Sequence, residues 1–363
     1  MLRYQGMYYE RQELLRPQVN LSCSTPGRMW LVGICAFMVI LQSAMSDAFY
    51  SLLLAAVVLV TALLTEIIAL HLKGEKTGSL KDGSVVASAL VFTLLLPNRI
   101  SPLYAVPGII FAVAVIKHCF GGLGSNWLNP AAGGWLFMRL SWPGAFSRAL
   151  EGSSLSVLEE GVGAGLSAAD GSLVNLINTN SAHFFSNNGF LETSVRPFLN
   201  NSVFSFLRIE LPSSYLELFS SPHPGIIADR GIIALLIGAI IILAIRASRS
   251  WISAVWLGVF IFFTLLAGAL PYGAGWWQGD VLFALSTGGT FAAAFLLAAD
   301  PATGAKSTGS VIISAALGGF LAWLFRFPGG EAYGALISVM VINALLPVIR
   351  NIENYCLYEK RAS

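Results

Sequence analysis

The amino-acid sequence predicts an all-α integral membrane protein of about ten transmembrane helices, built as two inverted five-helix repeats with short or broken central helices. Three observations carry this. Of the 363 residues, 56% are hydrophobic and 11% charged, where a soluble domain holds about 25% charged residues. The apolar residues gather into ten runs separated by short polar connections. The basic residues alternate between those connections as the positive-inside rule requires.

The runs fall at Met29–Met45, Tyr50–Leu72, Val85–Pro97, Leu103–Ile116, Pro130–Leu140, Gly231–Ile245, Ile252–Leu270, Val281–Ala299, Gly309–Phe325 and Ala332–Ile349. The third and fifth are shorter than the ~20 residues a straight crossing needs. Short spans depend on neighbouring protein to satisfy their backbone groups, so they tend to line sites.

With the N-terminus inside and every run crossing, Arg28, Lys73, Lys81, Lys117, Arg246, Arg249, Lys306 and Arg350 lie inside, and among short loops only Arg99 and Arg326 lie outside. Dropping one span would invert everything after it and destroy this balance. Residues 1–28 read as a cytoplasmic segment without a cleavable signal, 29–140 as the first repeat, 141–230 as a large polar external loop, 231–349 as the second repeat and 350–363 as a cytoplasmic tail. Five spans on each side of the loop place the halves in opposite orientations. Weak likenesses support this: Lys81-Asp82-Gly83-Ser84 opens the third span, and Gln278-Gly279-Asp280 opens the eighth.

The stretch Ile116–Pro143 is the most informative. Lys117 and His118 lead into Gly121, Gly122 and Gly124, then Asn126 and Asn129 before Pro130. Asparagine before proline suits a helix N-cap, and a helix N-terminus presents unpaired N–H groups. Gly121, Gly122, Gly124, Asn126 and Asn129 therefore read either as a flavin or ion site or as close packing through small residues. Lys117 and His118 fall near the inner interface, where long basic side chains snorkel to the headgroups.

Three further residues are ion-path candidates. Glu66 lies well within the second run, where an ionisable group is costly and so functional by default, unless it reaches solvent at the inner end. Asp300 precedes Pro301 and reads as a turn cap or as a cation or proton site. Asn343 sits in the middle of the tenth run, where bonding to a neighbouring helix is expected. Trp276 and Trp277 read as an aromatic belt.

Some classes are excluded. The net charge of +2 is spread along the chain and suggests no nucleic acid. Cys23, Cys35, Cys119 and Cys356 stand far apart, without metal-ligand spacing. No nucleophile–base pair or phosphate loop is present, and Gly122–Trp127 departs from the dinucleotide fingerprint at its third glycine.

Several separated blocks together resemble a known family. They are Leu80–Ser84 with Leu95-Leu96-Pro97, Lys117-His118 through Asn129-Pro130-Ala131, Gly288-Gly289, Ala298–Thr303 and Asn343–Pro347. Their order and spacing are similar to the D subunits of bacterial Rnf complexes, with the B subunits of sodium-pumping NADH:quinone reductases as close relatives. The resemblance implies a multi-pass subunit of the cytoplasmic membrane, both termini inside, surrounded by other Rnf subunits and the lipid bilayer. It implies electron transfer between ferredoxin and NAD coupled to Na+ or H+ movement, with FMN esterified to an external-loop threonine and, in relatives, a second flavin such as riboflavin. A B subunit of the quinone reductase, or a small-solute channel with inverted repeats, is the alternative.

The flavin-acceptor motif is the point of departure. Its nearest match is Thr193-Ser194-Val195-Arg196-Pro197, where Arg196 stands in place of the acceptor threonine. Arginine has no hydroxyl to esterify. Thr193, at a different spacing, is the nearest remaining acceptor, and FMN is expected to be absent or loosely held, with Arg196 near the phosphate position.

Overall fold

The structure, a computed structural model, describes residues 24–146, 148–149, 191–204, 216 and 225–362, apart from 48, 75–76, 123–125, 246–249, 273–274, 301–302 and 305–306. Residues 1–23 of the expected cytoplasmic segment, most of the external loop and Gly124 lie outside these residues, while Thr25–Arg28 belong to the first helix. The described residues contain no strand, only an isolated antiparallel bridge between Pro97 and Ile226.

Each element follows from local chemistry. Helix α1 (Thr25–Ser46) starts where the Ser24 hydroxyl accepts from the Gly27 amide and Pro26 occupies the first turn. After α2 (Tyr50–Lys73), Gly74 takes a left-handed conformation and its amide donates to the His71 carbonyl, a glycine C-cap. Helix α3 (Ser84–Leu94) is a short element of 11 residues. Helix α4 (Pro102–Ile110), capped by Ser101, continues as a π-helix over Phe111–His118. Helix α5 (Pro130–Ser141) begins at Asn129.

The short α6 (Arg196–Leu199) lies inside the helical segment Leu191–Phe204. There follow α7 (Ile227–Arg230), α8 (Ile232–Ala244) and α9 (Ser250–Ala267). The eighth apolar run is broken: α10 (Val281–Ser286) stops at Thr287-Gly288-Gly289, and α11 (Thr290–Ala292) restarts and widens into a π-helix over Ala293–Leu297. Helices α12 (Thr308–Arg326) and α13 (Gly334–Ala362, 29 residues) complete the chain. Every predicted apolar run thus falls on helix. Among the described residues four helices are long and apolar enough to cross a membrane: Thr25–Met45, Tyr50–Lys73, Gly309–Arg326 and Gly334–Glu353. The chain is an all-α membrane protein.

Helix α2 shows how the bundle meets lipid. It buries Leu54, Val58, Ala62, Glu66 and Leu70 on one stripe and exposes Leu53, Val60, Leu64, Ile68 and Leu72 on the other. A helix apolar all round belongs in a hydrocarbon environment. Inside, α1 packs on α3 and α8, α2 on α3 and α4, α4 on α5, α9 on α12, and α12 on α13, while α5 touches α13.

The α4–α5 crossing is a backbone contact. A Cβ on Gly134 would lie 2.7 Å from the Gly108 carbonyl oxygen and 2.8 Å from the Ala112 Cβ. We expect Gly134→Val to destabilise the purified protein by ~1–3 kcal/mol, the usual cost of overpacking, read as a lowered thermal midpoint in detergent.

Candidate functional site

Two polar centres lie within this apolar bundle. The first is built on Glu66, seven residues before the end of α2 and so roughly 10 Å from that end at the helical rise per residue. Its side chain is 2% exposed. Lys117 (3%) and His118 (8%) reach it from the π-helical end of α4. Lys117 Nζ donates to Glu66 Oε1 at 2.6 Å and to the Ser84 hydroxyl at 2.8 Å, and His118 Nε2 lies 2.8 Å from Glu66 Oε2. A carboxylate only accepts, so His118 Nε2 donates to Glu66, and His118 Nδ1 has no partner among the described residues. A widened turn is a common device at functional sites, and here it lets two consecutive residues face the same carboxylate.

This corrects the expectation that Lys117 and His118 snorkel to the interface. A buried carboxylate needs a partner more than the ammonium needs the headgroups, and Glu66 lies within reach. Glu66 is accordingly an ion-paired group of the interior.

Lys117 and Ser84 also line a cavity of about 50 Å³ shared with Asn126, Asn129 and Asp300, with apolar walls from Val91, Ile242 and Phe295. It joins the two halves of the sequence. Asn129 is the linchpin: its Oδ1 accepts from the Ala131 and Ala132 amides at 3.0 and 3.3 Å, and its Nδ2 donates to Asp300 Oδ2 at 2.9 Å. Thr303 Oγ1 donates to the same oxygen at 3.0 Å. The N-terminal amides of α5 expected to await a ligand are therefore met by the asparagine cap. We expect Asn129→Ala to cost about 1 kcal/mol through the lost cap, and Asn129→Ser to restore the cap without the bond to Asp300. Chemical denaturation of the two variants separates these contributions.

The glycine segment has a local role. Gly121 and Gly122 adopt φ of 107° and 91°, and a Cβ on Gly122 would meet no atom within 4 Å. Glycine is required there by the turn and not by close packing. The Asn126 amide, oriented to satisfy its surroundings, donates to the Gly122 and Lys117 carbonyls at 2.9 and 3.2 Å and so secures the end of the π-helix. Asn343, buried at 4%, makes no bond to a neighbouring helix through its Nδ2. Around a void of about 20 Å³ it faces the indole of Trp256, whose Nε1 is a second donor with no acceptor among the described residues.

Thr193 is exposed and Arg196 half-buried on the segment Leu191–Phe204, and neither lines the cavity. The cavity of about 50 Å³ has room for a few waters or an ion. Among the described residues no cluster of His, Cys, Asp or Glu has the makings of a metal site.

The second centre occupies the other end of the bundle, and sequence reasoning misses it. Arg326, 1% exposed, donates through Nη1 to the carbonyls of Ala284 and Thr287, both at 2.7 Å, and to Thr290 Oγ1 at 3.0 Å. Its Nη2 bonds the Thr287 hydroxyl. The guanidinium thus fills the break in the eighth run, while Asp229 Oδ1 accepts from the Gly289 amide at 2.9 Å. Gly288 and Gly289 both have φ of 69°, and a Cβ on Gly289 would fall 2.9 Å from Ile226. Nearby Asn98 places its carbonyl oxygen 2.6 Å from Arg230 and its amide toward Asp47 and Ser51, and Arg139 pairs with Glu331 between α5 and the α12–α13 connection. The charge count sets Arg230 and Arg326 in external loops, whereas both are buried. The available sequence signal is the pair of glycines between threonines inside an apolar run.

Comparison with known proteins gives this geometry a family. The model of the NQR2, RnfD, RnfE family matches residues 15–357. The chain belongs to that family. It is 25% identical over 345 residues to the D subunit of the Na(+)-translocating ferredoxin:NAD(+) oxidoreductase complex of Acetobacterium woodii, covering 94% of this chain and 93% of the relative. It is 25% identical to the D subunit of the proton-translocating ferredoxin:NAD(+) oxidoreductase complex of Clostridium ljungdahlii, covering 92% and 91%. The D subunit of the ion-translocating oxidoreductase complex of Shewanella denitrificans is 27% identical over 92% and 93%. Every block singled out from the sequence lies inside the matched region, and the apolar helices agree with a multi-pass protein of the bacterial inner membrane.

Proposed function

We propose that this chain is the D-type membrane subunit of an Rnf complex, contributing to electron transfer between ferredoxin and NAD coupled to movement of Na+ or H+, with the other Rnf subunits as its partners. The observation that carries this is the match along nearly the whole chain to D subunits whose names state that activity. The Glu66–Lys117 pair and the adjoining Asp300 cavity support a place on the ion path, because a buried charge is retained in a membrane bundle at considerable cost. Two relatives move different cations, so the ion is set by details below the level of the family. Replacing the chromosomal copy with a tagged one, then assaying purified membranes, tests the assignment. Rnf subunits that co-purify with it and ferredoxin-dependent NAD reduction accompanied by cation uptake support it; a chain that purifies alone and passes small solutes in liposomes refutes it.

The same proposal includes two oppositely inserted repeats, with both termini cytoplasmic and 141–230 external. In support, corresponding spans face each other: the first and sixth (α1 with α8) and the fifth and tenth (α5 with α13). Internal pairings also repeat, α2–α4 and α4–α5 being matched by α9–α12 and α12–α13. Reporter fusions at Ser172 and Asn187 should be active only in the periplasm; cytosolic activity at either site overturns the scheme.

For flavin, we infer that this chain forms no ester at position 196 and that FMN or riboflavin chemistry belongs to the surrounding assembly. Arg196 lacks a hydroxyl. Denatured protein expressed together with a flavin-transfer enzyme should give no fluorescent band in a gel. A band lost in Thr193→Ala would move the attachment to Thr193.

A further inference from the structure

We propose that Lys117 is a tethered cation: its ammonium occupies the Glu66 carboxylate in the resting state, and a mobile cation reaches that carboxylate only when the ammonium swings into the cavity toward Asp300. This rests on the ion-path assignment above and deepens it. Three features of the geometry point to it.

Both carboxylate oxygens are already engaged. One Glu66 oxygen holds Lys117 at 2.6 Å and the other holds His118 at 2.8 Å, with all three side chains buried. A sodium ion or proton entering this centre competes with an attached cation, since two positive charges on one buried carboxylate repel strongly at short range.

The ammonium has somewhere to go. Lys117 and Ser84 line the same cavity as Asp300 and Asn129, so a second carboxylate borders the space beside the first. Lysine suits the role: its charge is compact and its four-carbon stem flexible, whereas arginine's rigid fork favours a fixed geometry.

The neighbours are fixed. Asn126 secures the Gly122 and Lys117 carbonyls, and Asn129 ties the α5 cap to Asp300. The backbone at both ends of the swing is thereby held, and the lysine side chain is the moving part. His118, held to Glu66 through Nε2, keeps the carboxylate oriented while the ammonium is away.

The test uses a hydrophobic carbodiimide, which modifies buried carboxyls only in the protonated form, on the whole membrane complex with Glu66 modification read by mass spectrometry. In the wild type the ammonium sits on Glu66 Oε1 at 2.6 Å and modification should be slight. Lys117→Met should raise it several-fold, Lys117→Arg should leave it slight, and Glu66→Gln should abolish it. Added Na+ that protects the Lys117→Met carboxyl identifies the competing cation as an alkali ion; with no protection it is a proton. Equal modification of wild type and Lys117→Met overturns the proposal. If Lys117→Met fails to assemble, infrared difference spectra of the wild-type complex decide. A carboxylate band displaced on cation addition and missing in Glu66→Gln supports the swing, and a silent band across the cation range of activity overturns it. None of these readouts needs ferredoxin or NAD turnover, so a wrong assignment of the complex and a wrong role for Lys117 give different results.

Discussion

Glu66→Leu should destabilise the detergent-purified protein by ~3–5 kcal/mol, the range seen when one partner of a buried ion pair is removed. The size comes from what stays behind. Lys117 would keep a charge 3% exposed with only the Ser84 hydroxyl beside it, and His118 would lose the acceptor for its Nε2. The double variant Glu66→Leu/Lys117→Met should recover most of the loss, because an apolar pair of similar volume is often as stable as the buried salt bridge it replaces. Thermal unfolding of the two singles and the double closes the cycle. If the double is as unstable as the sum of the singles, the charges are not coupled and the pair is not an energetic unit. Stability and turnover should also part company, since the double variant regains its fold without the carboxylate assigned to the ion path.

Arg326→Leu should be comparably damaging at the other end. Its Nη1 serves the Ala284 and Thr287 carbonyls where the eighth run breaks, and an unsatisfied buried acceptor costs about 1–3 kcal/mol. The Thr290 hydroxyl has one proton and can serve only one of the two carbonyls, so with the other orphaned and the Thr287 hydroxyl bond lost the total is on the order of 2–4 kcal/mol, and water cannot easily reach the gap within a bilayer. Lysine should recover only part, because one ammonium does not reproduce the fork that spans the three groups. Limited proteolysis between Ser286 and Thr290 checks the location: faster cleavage there in Arg326→Leu is expected, and unchanged cleavage would show that the break is held by other contacts.

Much of this architecture was legible because hydrocarbon imposes simple demands. Helix runs, caps and turn glycines follow from local rules, and Asn129 announced its cap by preceding Pro130. Glu66 stood out because an acid deep in an apolar run is rare. What could not be read was direction. Lys117 near an interface can point outward or inward, and only the placement of α2 beside the π-helix decides it. Arg326 at the end of an apolar run looks like a loop charge until the broken helix is seen to need donors. Asn343 had the converse problem: nothing in its own run signals that its Nδ2 is left without an acceptor in the interior.

Helix α13 carries a practical lesson for handling the protein. At 29 residues it is roughly 44 Å long by the helical rise, about 14 Å more than the hydrocarbon layer it crosses. The candidate span Gly334–Glu353 ends well before the helix does, and Glu353 is lashed to Ser307 and Ser310 at that point. An affinity handle fused beyond this helix is separated from the apolar span by more than two helical turns, and should leave the grip on the intact assembly undisturbed.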